Sequence, residues 1–365
     1  MDIRYPNPFT PRFGMVPRYL AGREHLLSQV AIALTETPND PILTSLFCGP
    51  RGTGKTALLH ALADIARGCG WICASVSAVP GMLEDIYQQS LSDGAHLVDV
   101  DSLKVTSASV GPIGASWKEE RPYEPNWRTR MDAILDQLAS KETGLLILVD
   151  EVKASDEMVQ LVSIYQHFVG EGRKVALFMA GLPHDASILL SHDDVSFLRR
   201  ASYHHLGNVT VTEAAVAMRR TIEDFQRSID EDALAFAAEA SNGYPYLMQL
   251  IGFRMWAIDP SKERITLKDA EDGVLLAFDE FEHGVLQASY RELSAGDLAF
   301  LEAMTVDEGM SSLRDIASRM GVSSGYASKY RKRLMEKGIL AEPRKGYVEL
   351  ELPGLKEYAA KQMLS

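Results

Sequence analysis

Cysteine is scarce in this 365-residue chain: Cys48, Cys69 and Cys73 are the only three, and no two stand in a C-x-x-C pair. An odd count without that spacing argues against a disulfide framework and a structural zinc site. A reduced, cytoplasmic setting is the expectation. Long apolar runs are missing too. Runs such as "GLLILV" fall far short of the ~18 residues that a membrane span needs, so "GLLILV" reads as a buried strand and no membrane partner is expected. The opening "MDIRYPNPFTPRFG" carries prolines where a signal peptide would have its apolar core, and none is expected. Positive charge is in deficit: 37 Lys and Arg against 50 Asp and Glu leave a net −13, which argues against wholesale coating of nucleic acid. There is no internal repeat and no low-complexity tract.

What is present is ordinary in bulk and specific in places. The chain is 46% hydrophobic and 24% charged, values of a globular protein, and its length suggests two or three domains. The charge deficit is uneven. From Val285 to the end, 12 Lys and Arg meet 11 Asp and Glu, a net of +1 against −14 for the rest. Seven basic residues and two acidic ones fall between Lys329 and Lys345, a basic patch on an acidic body.

Periodicity divides the chain. "AGREHLLSQVAIALTE" has helical spacing. "ILTSLFC", "WICASVSA", "GLLILVD", "KVALFMAG" and the weaker "SYHHLG" are short apolar runs separated by helical stretches. That alternation predicts an α/β fold with a parallel sheet covered on both faces. "DSLKVTSASVGPIGASWKEE", around Gly111-Pro112, alternates at period two and predicts a β-hairpin over 102–120. After about residue 208 the strands give way to helices, one of them opened by a capping box at Thr266–Asp269. From about Ala288 a third unit begins, with helices near Ala295–Met304 and Ser312–Met320, a "GVSS" turn, a basic helix, and a hairpin with its tip at Pro343–Gly346. The expected division is an N-terminal segment over 1–40, an α/β core over 41–207, a helical domain over 208–287 and a C-terminal unit over 288–365.

"GPRGTGKT", between the first strand and a helix, matches G-x-x-x-x-G-K-[ST]. Gly49, Gly52 and Gly54 allow backbone N–H groups to turn toward phosphate oxygens, and the following helix N-terminus adds positive potential. The expected nucleotide contacts are Gly49, Pro50, Arg51, Gly52, Thr53, Gly54, Lys55, Thr56 and Ala57, with Lys55 on the outer phosphates and the Thr56 hydroxyl on Mg2+. "LLILVDE" ends a buried strand in two acids, and ligands of such sheets bind at that edge. Asp150 is expected in the magnesium shell and Glu151 as the general base. Arg199 and Arg200, in "FLRR", are candidates for an arginine finger acting on a neighbouring subunit, against the alternative of a surface pair. His204, His205, Cys69 and Cys73 read as packing or surface side chains rather than ligands.

With these motifs in order, the chain resembles the AAA+ and STAND classes of P-loop ATPase, nearest to the archaeal-ATPase and origin-recognition-like group. "NPFTPRFGMVPRYLAGREHLL" looks like that group's N-terminal adenine-binding segment, and "GYPYLMQLIG" like its lid motif. The resemblance implies a sheet ordered 5-1-4-3-2, ATP or ADP between core and lid, and a C-terminal winged helix. Two positions depart from the group. Ala180-Gly181 replaces its polar sensor, and Pro245-Tyr246 stands where a lid arginine is usual. Both departures imply slow hydrolysis, with nucleotide state working as a switch.

Two helices, a turn, a basic helix and a hairpin read as a winged helix-turn-helix. Ser324, Tyr326, Ser328 and Lys329 are expected at base edges. Arg331, Lys332, Arg333, Arg344 and Lys345 are expected near phosphates of duplex DNA. The alternatives are a nucleotide-gated protein-assembly scaffold that never touches DNA, with a protein partner or homo-oligomer, and a transposition-helper ATPase.

Overall fold

The computed structural model describes residues 5–12, 14–99 and 126–363. The hairpin expected over 102–120 lies outside the described residues. The chain divides into two compact units. One contains His25–Cys48 and Lys55–His205; the other contains the N-terminal stretch to Glu24, the loop Gly49–Gly54, and Leu206–Ser365.

The first unit carries helices α1 (Glu24–Thr35, which enters this unit at His25), α2 (Lys55–Gly68), α3 (Met82–Asp93), α4 (Trp127–Ala139), α5 (Asp156–Gly170) and α6 (Pro183–Ser191). Its strands are β1 (Thr44–Cys48), β2 (Ile72–Ser77), β3 (Leu145–Asp150), β4 (Val175–Gly181) and β5 (Ser202–His205). They form one parallel sheet in the order β2-β3-β4-β1-β5, the expected 5-1-4-3-2. β4 is buried along its whole length and β3 up to Asp150, which is why their sequences are unbroken apolar runs. Only β5, at the edge, alternates in exposure. There His204 stacks on Phe47 at 4.9 Å and lies 3.2 Å from Ser45 Oγ, while His205 is exposed. Burial pushes the Cys73 thiol up to about 12, so it stays protonated and inert.

In the second unit, α7 (Val211–Asp224), α8 (Glu231–Ser241), α9 (Pro245–Ile258) and α10 (Leu267–Phe281) pack around a short parallel pair, β6 (Ser228–Ile229) and β7 (Arg264–Ile265). Thr210 with Glu213 and Thr266 with Asp269 form capping boxes on α7 and α10. The N-terminal stretch lies along α9: Asn7 Nδ2 donates to Phe253 O at 2.9 Å and Thr10 N to Gln249 Oε1 at 3.1 Å. Buried Arg227 donates to the carbonyls of Trp256 and Asp259, satisfying groups that the end of α9 leaves open.

α10 continues through one π-helical turn, Glu282–Leu286, into α11 (Gln287–Arg291). Beyond it come α12 (Ala295–Met304), β8 (Ser311–Ser312), α13 (Leu313–Arg319), α14 (Ser324–Glu336), β9 (Leu340–Arg344), β10 (Tyr347–Leu350) and α15 (Leu355–Met363). The three strands are antiparallel in the order β8-β10-β9. Ser323 caps α14 by accepting from Tyr326 N, and Ala327 and Leu334 are buried beneath it. No helix among the described residues is long and apolar enough to cross a membrane.

The Arg319 guanidinium grips both oxygens of Asp307, at 2.6 and 2.7 Å, and holds that carboxyl down to about 2 against an ordinary 3.8. A depressed native value stabilises the fold above the unfolded value and loses its effect as pH falls toward the native one. The stability gap between wild type and Arg319→Ala, read from urea midpoints, should therefore be full near neutrality and narrow between pH 4 and 2. A gap that does not change over that window would mean the pair contributes nothing.

Candidate functional site

The loop Gly49–Gly54 leaves β1 and enters α2, and its three glycines answer to two different constraints. Gly52 and Gly54 sit at φ +76° and +84°, left-handed backbone that favours glycine. Gly49 is instead pressed against the chain: a Cβ there would fall 2.0 Å from Leu206 O. Thr53, buried, donates its hydroxyl to Pro50 O at 2.9 Å and closes the loop on itself. Lys55, Thr56 and Ala57 open α2, where the positive end of the helix dipole favours an anion.

One turn into the motif, the Thr56 hydroxyl donates to Asp150 Oδ2 at 2.6 Å. Asp150 is the last residue of β3, so the two motifs that sequence spacing puts 94 residues apart meet at the carboxyl edge of the sheet. The other carboxylate oxygen accepts from Glu151 N at 2.8 Å. Glu151 itself is exposed and held at φ +53°. For a residue with a side chain that conformation costs about 1–3 kcal/mol and tends to mark functional positions.

Other expected residues are elsewhere or engaged. Arg199 and Arg200, both exposed, end the 3-10 stretch Asp193–Arg200. Arg199 Nε donates to Leu190 O at 3.1 Å, and Arg200 makes no hydrogen bond or ion pair among the described residues. β4 ends on buried Ala180 and on Gly181, where a Cβ would stand 3.2 Å from Val152 O. No polar side chain ends that strand. α9 starts with Tyr244 as its cap and Pro245 in its first turn, and its arginine, Arg254, is paired with Glu280.

Sequence reasoning missed what lies against the loop. Tyr244 Oη donates to Arg51 O at 2.9 Å, and Tyr246 N donates to Gly52 O at 3.2 Å. "GYPY" resembles part of a lid motif in sequence, but nothing in that string names its partner.

On α14 and the hairpin that follows it, the basic residues separate into two groups. Arg333 donates to Asp297 Oδ1 and Ser294 Oγ, at 2.6 and 2.7 Å, and Asp297 is 1% exposed. Burial works against the Asp297 charge, and the bonds from Arg333 and Ser294 outweigh it, holding the carboxyl below 3.8. Arg331 pairs with Glu342 of β9 at 2.8 Å. These two arginines hold the fold together. The S-x-x-D spacing of Ser294 and Asp297 signals their capping box, but not the arginine that joins it. Lys329, Lys332, Arg344 and Lys345 are exposed, as are Ser324 and Tyr326, while Ser328 is half-buried. Lys329 Nζ stands 5.6 Å from the Tyr326 ring and Arg344 lies 3.7 Å over Tyr347. Lys332 has only a loose pair with Glu336, at 3.9 Å.

A family model described as a domain of unknown function (DUF8462) matches residues 283–359. No curated protein matches the chain. Solved structures are similar over nearly its whole length. Cdc6p of Pyrobaculum aerophilum is 15% identical, with 97% of this chain and 97% of that one covered and a TM-score of 0.51. The ORC2 protein of Aeropyrum pernix, solved as ADPNP–ADP complexes, is 12% identical with 97% and 98% covered and a TM-score of 0.61. A Walker-type ATPase of Pyrococcus abyssi is 14% identical with 93% and 96% covered and a TM-score of 0.63. Likeness at these identities is likeness of fold: the chain has the P-loop fold seen in archaeal Cdc6 and ORC structures.

Proposed function

We propose that this protein is a slowly turning Mg2+-dependent ATPase whose nucleotide state sets the posture of a C-terminal winged helix on duplex DNA. The observation that carries the nucleotide reading is the Thr56–Asp150 hydrogen bond beside a glycine loop and a helix N-terminus. A hydroxyl and a carboxylate are hard oxygen donors, the kind that Mg2+ takes alongside phosphate. Thr56 and Asp150 would hold the ion, which when bound offsets the charge of the phosphates. Gly52 to Ala57 would supply backbone donors, and Lys55 a point charge. Glu151 would take the proton from the attacking water. Arg200 is the better candidate for a finger reaching a neighbouring subunit, since Arg199 is already engaged. With apolar Ala180 and Gly181 at the end of β4, nothing there orients the water, which supports slow hydrolysis.

The antiparallel β8-β10-β9 sheet and helices α12–α14 support the winged-helix reading of residues 288–365. DNA contact then falls to Lys329, Lys332, Arg344 and Lys345, with Ser324, Tyr326 and Lys329 at base edges. Each phosphate contact removed should reduce the salt slope of duplex binding by about 0.9. A Lys329→Ala/Lys332→Ala variant and an Arg344→Ala/Lys345→Ala variant should each have a shallower slope than wild type. Arg333→Ala should lower the melting temperature, because it strands a buried carboxylate, and leave the slope unchanged. Identical slopes throughout would favour the second reading, a nucleotide-gated scaffold for protein assembly. The observation that favours this second reading is the internal pairing of Arg331 and Arg333.

A further inference from the structure

We propose that Tyr244 and Tyr246 set the phosphate-binding posture of the loop and pass it on to the C-terminal helices; the proposal rests on the nucleotide reading above. The peptide unit is planar, and in its trans form the C=O and N–H point to opposite sides. Tyr244 Oη holds the carbonyl of Arg51, so the N–H of Gly52, in the same peptide unit, faces away from α9. Tyr246 N–H holds the carbonyl of Gly52, so the N–H of Thr53 faces away as well. Two of the loop's donors are thus aimed by bonds made to the oxygens behind them. The fit is tight, since a Cβ on Gly52 would fall 1.9 Å from Tyr244 Oη. The loop cannot shift toward α9 without moving that ring.

The ring leads onward. Tyr244 is 1% exposed and meets Phe281 edge-on at 5.9 Å and 65°, while the Tyr246 ring lies 6.1 Å from the same phenyl. Phe281 is the last residue of α10, immediately before the π-helical turn Glu282–Leu286. Such turns interrupt the regular ladder and are frequent at functional sites. The C-terminal helix α15 is anchored to the same connection. Lys361 pairs with Glu282 at 3.2 Å, and Tyr358 meets Tyr290 at 5.5 Å. A single chain of packed groups therefore runs from the loop carbonyls to α11 and the C-terminal helix α15. Tyr244 is a positioning residue in it, acting through Gly52 and Thr53.

Tyr244→Phe removes one oxygen and keeps the ring on Phe281. Titration with a fluorescent ATP analogue should show about tenfold weaker binding, the effect of losing one well-aimed hydrogen bond, with the apo melting temperature unchanged. Hydrogen exchange of the wild-type protein supplies a readout independent of any variant. Saturating ATP should slow exchange at Gly52–Gly54 and at Glu282–Leu286 together, and in Tyr244→Phe the second response should be lost even at saturation. Wild-type affinity in Tyr244→Phe, with binding lost in Lys55→Ala, overturns the inference and leaves the nucleotide reading standing. A wild-type response confined to the loop overturns the relay. Undiminished binding in both variants overturns the nucleotide reading and this inference with it.

Discussion

Lys55→Ala should weaken ATP binding by roughly 100-fold, the scale of a lost charge-assisted contact to phosphate, while the fold stays intact. Lys55 opens α2 directly after a loop whose glycines are fixed at φ +76° and +84°, so the substitution removes charge from a place already shaped for an anion. Alanine is also a good helix former, and α2 should not suffer. Isothermal titration with ATP and Mg2+ on wild type and variant is the measurement. Equal affinities would mean that the loop is only a turn between β1 and α2.

Glu151→Gln should bind ATP as wild type does and hydrolyse it about 10²- to 10⁴-fold more slowly, because on the proposed function only the acceptance of a proton from water is removed. The substitution is isosteric, and the hydrogen bond from the residue's backbone N–H to Asp150 Oδ1 does not involve the side chain. Wild-type turnover should itself lie at or below the low end of the ~1–100 s⁻¹ typical of kinases. Single-turnover release of phosphate, with binding measured in parallel, separates the two effects. A variant that hydrolyses at the wild-type rate would move the base elsewhere. A wild type that turns over tens of times per second would end the switch reading.

β3 and β4 were legible as strands because both faces are covered and the sequence carries no polar alternation to confuse the period. Thr56 and Asp150 were legible as partners because each stands at the end of a motif whose place in such a sheet is known from topology. The fate of the basic cluster was not legible in the same way. Arg331, Lys332 and Arg333 are consecutive and identical in charge, yet two are tied to Glu342 and Asp297 while the third faces water. Helical rotation turns neighbouring residues about 100° apart, and the acids that meet them lie 11 and 36 positions away. Charge counting gives the sign of a surface but not which cations are already neutralised. Tyr244 is the same lesson for an aromatic residue. Its ring fits the apolar pattern of a helix start, and only the fold reveals that its hydroxyl reaches a carbonyl 193 residues earlier.

The support of the loop has a consequence for anyone who would divide the protein. A fragment ending at His205 would contain every strand of the parallel sheet and every letter of "GPRGTGKT". It would nonetheless lack the Leu206 carbonyl against which Gly49 is seated and both tyrosines that hold Arg51 and Gly52. Such a fragment would be complete by motif and incomplete as a receptor. If the proposed nucleotide reading holds, its affinity for nucleotide would measure an unsupported loop, and a minimal version of the proposed site should carry the chain through the end of α9 before anything is trimmed.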